Sequence, residues 1–349
     1  MTTERRGRQN LDVREFILRN VTGNPATVNA LAAKKFGLSR TAINRYTRRL
    51  IDESLLSATG KTSARRYQLV NFADEVFKID VFDGLAEDQV WRFHILPLME
   101  GVKQNIVDLC HYGFTEMLNN VVDHSASEKC FISYQQNYCE IRMMVIDYGI
   151  GVFEKIERDF NLADPRTALL ELSKGKLTSD EKRHAGEGIF FTSRMFDIFY
   201  MSSGELNYVR SRQAGHDWLV EADEQANARL GTAISMIIST DAAWRPSDVF
   251  NEYRGAEIGF RKTHVPVLLG KYPNEELVSR SQAKRLLARF EDFSEVMLDF
   301  QGIAEIGQPF ADEIFRVYRD MHPRTLVVAT RANPEIEKMI EYVQKATSA

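Results

Sequence analysis

Apolar residues recur at the three-to-four-residue spacing of an amphipathic helix in three short segments before residue 56. The first two predicted helices cover about 11–19 and 28–36, and the third follows a turn at Gly37. Thr27 and Ser39 would cap the second and third helices. The side chains that these patterns turn inward are Val13, Phe16, Ile17, Leu31, Ala32, Phe36, Ile43, Tyr46 and Leu50. A polar stretch at Gly60 and Lys61, between apolar segments, then predicts a hairpin.

The pattern changes after residue 72. Acidic residues between 74 and 88 indicate a connection, and a long helix is predicted over about 102–122. Its inward stripe comprises Ile106, Leu109, Cys110, Phe114, Met117 and Leu118. The remaining central elements are strands over 131–135 and 140–147, a helix over 189–199 and a strand over 234–238.

Short strands and helices alternate in the last hundred residues. The strands are predicted over 265–269, 295–299 and 325–329, and the helices over 281–290, 310–318 and 334–344. This alternation is typical of a small α/β domain whose strands are covered by helices.

Charged residues are distributed unevenly along the chain. The overall composition, with 44% apolar and 27% charged residues, is that of an ordinary globular protein. Residues 1–70 contain 14 Lys and Arg against 5 Asp and Glu, a net charge of +9, while the remainder carries −13. A basic unit attached to an acidic body indicates a module that binds a polyanion.

Membrane insertion and a disulfide framework are not expected. No apolar run approaches the ~18 to 20 residues of a spanning helix. Cys110, Cys130 and Cys139 lack CxxC spacing and suit a reducing compartment, so we expect three buried thiols in a cytoplasmic protein.

Polar residues at regular spacing suggest a binding site in the central part. Glu116, Asn120 and His124 lie four residues apart and therefore share one helix face. Asp147 ends a predicted strand and is followed by Gly149 and Gly151, whose backbone can approach a flat ligand closely. Gly186 and Gly188 open a predicted helix, and free N–H groups at a helix start favour phosphate.

The order of helix, turn, helix and basic hairpin over the first 60 residues or so closely resembles the winged-helix family of DNA-binding domains. The resemblance implies that double-stranded DNA binds to the third helix and the hairpin, with the helix in the major groove. The candidate DNA-binding residues are Arg40, Asn44, Arg45, Arg48, Arg49, Lys61, Arg65 and Arg66. Winged helices also serve as protein-docking modules, and this alternative stays open.

Residues 95–240 resemble the ATP-binding fold shared by gyrase, the Hsp90 chaperone, histidine kinases and the MutL repair protein (the GHKL fold). The segment from Phe114 to Ser125 looks most like the asparagine-bearing helix of the anti-sigma-factor serine kinases. The roles that the resemblance implies are Mg²⁺ coordination by Asn120, general base catalysis by Glu116, adenine recognition by Asp147, adenine packing on Gly149 and Gly151, phosphate binding by Gly186 and Gly188, and a water-mediated adenine contact by Thr232.

The chemistry at such a site stays open between hydrolysis, transfer to a protein and binding without turnover. Residues 173–185 would form a lid over the phosphates, with cations at Lys174, Lys176, Lys182, Arg183 and His184. His124 is expected to be a structural histidine rather than a catalyst.

The segments Val296–Ile303 and Ile306–Phe310 resemble the STAS fold of anti-sigma-factor antagonists, in particular a STAS-like family attached to nucleotide-binding domains of this type. Antagonists carry a phosphorylatable serine where this chain has Gly307, Gln308 and Pro309, so phosphorylation there is not expected. The domain would be a regulatory or docking surface, or a structural cap.

The sequence therefore predicts an α/β multidomain protein with a winged helix over 1–72, a GHKL-type α/β sandwich over 73–245 and a small STAS-like α/β domain over 246–349. The leading hypothesis is a DNA-binding regulator controlled by ATP and Mg²⁺, with a protein partner at the STAS-like end; a homodimer is one arrangement that this hypothesis allows. The alternatives are an anti-sigma-type serine kinase and a DNA-stimulated ATPase of a defence or DNA-processing system.

Overall fold

A computed structural model describes residues 3–61, 64–177, 186–213, 216–221, 229–254, 260–272 and 275–345. The chain is mixed α/β, and its residues group into two compact units. The first unit comprises Met1–Phe77, Ser133–Met143 and Ile237–Ala242, and the second comprises Lys78–Ile132, Met144–Met236 and Ala243–Ala349. Among the described residues, no helix is long and apolar enough to cross a membrane.

Three helices and a hairpin open the chain, in the order that the apolar pattern predicts. They are α1 (Thr3–Asn20), α2 (Val28–Phe36), α3 (Arg40–Asp52), β1 (Leu56–Thr59) and β2 (Arg66–Leu69). The Ser39 hydroxyl caps α3 by accepting the Ala42 N–H at 3.2 Å, and Gly37 ends α2 with φ +63°. Thr27 occupies the predicted N-cap position of α2, although its side chain makes no capping hydrogen bond.

The core of this segment corrects one inward assignment, that of Leu31 on α2. On α3, Tyr46 is partly buried and packs against the core, and the hydroxyl of the buried Thr47 is satisfied within the helix by the carbonyl oxygens of Ile43 and Asn44. Leu31 is 37% exposed. The buried apolar side chains are Val13, Ile17, Leu18, Val21, Val28, Ala32, Ile43, Leu50, Leu56 and Tyr67.

The acidic stretch after residue 72 is a strand rather than the predicted connection. Strand β3 (Ala73–Asp80) is an outer strand of a seven-stranded sheet, and an edge position tolerates its charged residues. It is followed by α4 (Glu87–Val90), α5 (Gln104–Asn120), β4 (Lys129–Gln136) and β5 (Glu140–Asp147). The long helix and both predicted strands are confirmed, and all six residues of the inward stripe of α5 are buried.

The middle of the chain contains further helices, and its strands join the same sheet. These are α6 (Val152–Phe160), α7 (Pro165–Lys174), α8 (Gly188–Met195), β6 (Ile198–Gly204), β7 (Leu206–Ser211), β8 (His216–Glu221) and β9 (Arg229–Ser239). The predicted helix over 189–199 is too long, because Phe196 adopts an extended backbone and β6 begins at Ile198. The strand order in the sheet is β3-β4-β5-β9-β6-β7-β8.

The last hundred residues form the alternating structure that the sequence predicts. The elements are α9 (Pro246–Glu252), β10 (Lys262–Pro266), α10 (Arg280–Leu287), β11 (Glu295–Asp299), α11 (Gln308–Asp312), α12 (Arg319–Met321), β12 (Leu326–Thr330) and α13 (Pro334–Lys345). The three strands are parallel, in the order β10-β11-β12.

Two clusters join α7 and α8 to this C-terminal part within the second unit. Aromatic rings pack in pairs, with centroid distances of 4.5 Å for Phe190–Phe260, 4.8 Å for Phe191–Phe250 and 5.5 Å for Phe260–Phe293. Nearby, the fully buried Lys174 ammonium lies 2.6 Å from the Glu171 carboxylate and donates to the Ala288 carbonyl at 2.8 Å.

We expect Lys174→Met to lower the free energy of unfolding by about 3–5 kcal/mol, since removing one partner leaves the buried Glu171 carboxylate without its nearest cation. Denaturant unfolding followed by circular dichroism measures the change. Lys338→Met is the matched control, because Lys338 pairs with Glu335 on the exposed surface and should leave the unfolding curve nearly unchanged. Equal curves for the two variants would contradict the structural role of Lys174.

Candidate functional site

The second unit contains a cavity of about 310 Å³, within the size range of sites for small organic ligands. Its walls come from α5, the end of β5, α6, the start of α8 and β9. Six of the eight residues assigned to nucleotide, Mg²⁺ or catalysis line this one cavity. They are Glu116, Asn120, Asp147, Gly186, Gly188 and Thr232.

Helix α5 contributes a row of polar side chains to the cavity. Tyr112, Glu116 and Asn120 follow each other at four-residue spacing, and all three line it. A wider π-helical turn, Val121–Ser125, continues from α5, and His124 on this turn also lines the cavity. The predicted triplet of Glu116, Asn120 and His124 is therefore brought together.

Asp147 is the last residue of β5, and its side chain is buried at the cavity wall. Its Oδ1 accepts the Gly149 N–H at 3.0 Å, and the Thr232 N–H donates to the same carboxylate. Burial raises the pKa of Asp147, and these backbone hydrogen bonds oppose the rise. The protein thus holds an acceptor group in a fixed orientation.

Gly149 and Gly151 are not among the described residues that line the cavity. A Cβ at Gly149 would overlap the Ser125 carbonyl, and one at Gly151 would overlap the Ser203 hydroxyl. Both glycines therefore allow the segment after Asp147 to pack directly against neighbouring backbone and side chains.

The start of α8 lies next to Glu116. Gly188 is the first residue of this helix, and a Cβ there would overlap Glu116 Oε2. Gly186 has φ +67° and packs against the backbone of Leu177. A carboxylate and the N–H groups of a helix N-terminus consequently face the same part of the cavity.

Thr232 is fixed by two hydrogen bonds at the wall formed by β9. Its hydroxyl accepts the Val152 N–H at 3.0 Å and approaches the Ser203 hydroxyl at 3.5 Å. The backbone N–H of Thr232 donates to the Asp147 carboxylate. The Thr232 hydroxyl and the Asp147 carboxylate are therefore held beside each other.

Four ionisable residues of the cavity were missed by the sequence analysis. Glu187 lies between the two glycines, and burial raises its pKa. Burial and the nearby carboxylates of Glu116 and Glu187 raise the pKa of Tyr112. On α6, Lys155 pairs with Asp159 at 2.8 Å. Four-residue spacing was a usable signal for Tyr112 and for the Lys155–Asp159 pair, whereas nothing local marked Glu187.

Asn120 has an unsatisfied polar atom, as expected of a side chain that binds a ligand. Its Nδ2 is buried and has no hydrogen-bond partner, so this amide lacks part of its hydrogen bonding within the described chain. No group of three His, Cys, Asp or Glu side chains among the described residues could hold a metal ion. A cation here would need ligands beyond those that the described residues supply.

The predicted lid cations separate into two groups. Lys174 ends α7 and is fully buried in its ion pair, so the assignment of this residue to a lid is wrong. Lys176 donates to the Asp292 carbonyl at 2.7 Å. Residues 178–185, with Lys182, Arg183 and His184, lie outside the described residues.

A second candidate site is the basic surface of α3 and the β1–β2 hairpin. All eight predicted DNA-binding side chains are exposed. Arg40, Asn44 and Arg48 follow one another at four-residue spacing. Asn29 of α2 donates to Asn44 Oδ1 at 3.0 Å and to the Tyr67 hydroxyl at 3.2 Å, which ties α3 to β2.

The two thiols in the core agree with prediction, whereas the third is only half-buried. Cys110 and Cys130 are buried, and Cys139 is intermediate. Burial raises the pKa of Cys130 to about 12 and that of Cys139 to about 11, so all ordinary conditions leave these thiols protonated.

Comparison with known families identifies one region. Residues 282–337 match a STAS-like domain of unknown function (DUF4325), which agrees with the resemblance seen in the sequence. No curated protein matches the chain. In the matched region Gly307 precedes α11, and no Ser or Thr occupies positions 306–309.

Proposed function

We propose that this protein is an ATP-binding regulator of the GHKL type whose N-terminal winged helix binds duplex DNA. One observation carries the proposal: polar residues from four separated segments, which a nucleotide site of this type requires in this order, converge on one cavity. In this proposal the C-terminal STAS-like domain is the regulatory or docking part.

The cavity offers distinct groups for the two ends of a nucleotide. The Asp147 carboxylate would accept the adenine amino group, with the Thr232 hydroxyl beside it. The start of α8 offers backbone N–H groups to the phosphates. Gly149 and Gly151 would act indirectly, since they let the chain after Asp147 pack closely.

Charge supports binding of the polyphosphate together with a divalent cation. The described lining includes the carboxylates of Glu116, Asp147, Asp159 and Glu187, but one ammonium group, that of Lys155. Mg²⁺ keeps several water ligands and is usually held by few protein groups plus substrate phosphates. The Asn120 amide is the candidate for such a role, because it lines the cavity, its Nδ2 is buried without a hydrogen-bond partner, and an amide oxygen is a ligand that Mg²⁺ accepts.

Glu116 is the group for turnover. Its carboxylate lies against Gly188, where phosphates would bind, and a carboxylate placed there can remove a proton from water or from a hydroxyl group. An ATPase and a protein serine kinase both follow from this placement, and the acceptor of the phosphoryl group distinguishes them.

Nucleotide control of DNA binding has a covalent route through β5. Within the first unit, the Tyr138 hydroxyl donates to Glu15 of α1 at 2.7 Å, and Arg19 of α1 pairs with Asp241. Tyr138 precedes β5, and β5 ends at Asp147. We propose this strand as the connection through which a nucleotide bound at Asp147 would influence α1.

We expect Asp147→Asn to weaken ATP binding by about 1–3 kcal/mol, because the adenine amino group would meet an amide in place of a carboxylate. Isothermal titration with ATP and Mg²⁺ measures the affinity. Asp108→Asn on the exposed face of α5 is the control. Unchanged affinity in Asp147→Asn would remove this residue from nucleotide recognition.

We expect Glu116→Gln to retain ATP binding and to lose phosphate release, since a base acts in the transition state more than in the ground state. Labelled ATP, assayed with and without DNA, separates hydrolysis from transfer onto protein. Glu187→Gln is the matched control in the same cavity. Turnover that survives in Glu116→Gln and disappears in Glu187→Gln would assign the base to Glu187.

We expect the triple substitution of Arg45, Arg48 and Arg49 by Ala to weaken duplex binding. The slope of log affinity against log salt concentration should become shallower by about one for each lost phosphate contact. Fluorescence anisotropy measures both, and replacing Arg280, Lys284 and Arg319 by Ala gives a control of equal charge change.

The same titrations include a non-hydrolysable ATP analogue. A regulator should show DNA affinities that differ by about 5-fold to 150-fold between the apo and analogue-bound protein. No binding of duplex DNA at low salt would favour a protein-docking role, and equal affinities in both states would favour the kinase.

A further inference from the structure

Part of the cavity wall is held from outside by the STAS-like domain. Leu172 and Leu177 both line the cavity, and the residues between them contact the C-terminal part of the same unit. Lys174 donates to the Ala288 carbonyl at 2.8 Å. In the opposite direction, the buried Thr263 hydroxyl donates to the Lys174 carbonyl at 2.7 Å.

Arg289 is the centre of these contacts. Its guanidinium donates to the carbonyl oxygens of Gly175 and Lys176, and also to Glu171 Oε2 at 3.4 Å. One side chain thus binds two successive carbonyl groups of the wall segment and a carboxylate of α7. A guanidinium is suited to this, because its planar fork presents several donors at once.

The wall segment has little room to move away from these contacts. Gly175 has φ +80°, and a Cβ there would overlap the Phe260 ring. The Lys176 ammonium donates to the Asp292 carbonyl at 2.7 Å and lies 4.7 Å from the centre of the Phe293 ring. Residues 288–293 therefore contact the segment from Lys174 to Lys176 at several points.

We propose that Arg289 is a positioning residue for the nucleotide cavity, through which the STAS-like domain sets nucleotide affinity. The inference rests on the proposed function, because it assigns a regulatory element to the same cavity. Arg289 does not line the cavity among its described residues, and it acts by fixing Gly175 and Lys176 between Leu172 and Leu177. A displacement of residues 288–293 releases this wall, and ligand in the cavity strengthens the contacts reciprocally.

The test compares the full-length wild type with Arg289→Lys, which keeps the positive charge but replaces the planar guanidinium fork, with its five donors, by a compact ammonium group. Arg324→Lys, an exposed position in the same domain, is the matched control. Adenylyl imidodiphosphate with Mg²⁺ is the probe. Isothermal titration gives its affinity, thermal melting reports the fold, and amide exchange reports residues 172–177 and 286–293 separately.

We expect Arg289→Lys to melt as a folded protein, to bind the probe about 5-fold to 150-fold more weakly and to exchange faster over 172–177. In the wild type, the probe should slow exchange over 286–293, and this protection should be lost in Arg289→Lys. Arg324→Lys should behave as the wild type.

Two failures are distinguishable. Absence of probe binding in the wild type overturns the proposed nucleotide function and this inference with it. Wild-type affinity and wild-type exchange in a folded Arg289→Lys variant overturn the inference alone.

Discussion

The burial of the Asp147 carboxylate is the constraint on which the cavity depends. A buried charge is stable only when hydrogen-bond donors are supplied by the surrounding protein, and here backbone N–H groups of Gly149 and Thr232 supply them. Both donors require a close approach of backbone. A Cβ at Gly149 would collide with Ser125, and a Cβ at Gly231 would collide with Asp147. Side chains are excluded at these positions because neighbouring backbone lies where a Cβ would stand.

Local periodicity explains how much of the site the sequence predicted. Glu116 and Asn120 share a helix face by their spacing alone, and Asp147 ends a strand with alternating burial that the apolar pattern marks. Periodicity also predicted the alternating strands and helices of the C-terminal part, whose three strands the structure shows to be parallel. These features depend on local geometry, so a single sequence carries them.

Features that depend on tertiary contacts were not predictable in this way. Lys174 reads as a solvent-exposed lid cation in the sequence, because its burial depends on Glu171 nearby and on Ala288 more than a hundred residues later. The strand at Ala73–Asp80 was hidden by its acidic residues, since an edge strand buries too little to show a strong pattern. Gly149 and Gly151 were recognised, but their packing against Ser125 and Ser203 follows only from the folded chain.

The contacts around Arg289 also bear on the order in which the protein matures during synthesis. Every described residue that lines the cavity lies before position 235, whereas the groups that hold Gly175 and Lys176 lie at 289–292. A ribosome that has exposed the chain only to residue 245 has released all the cavity-lining side chains and none of the supports. At that stage Phe260, whose ring packs against Phe190 and Phe191, has not yet emerged. A nascent chain consequently acquires the complete wall only after residues 289–292 of the STAS-like region have emerged, so a translation product that ends before them lacks the supports of Gly175 and Lys176.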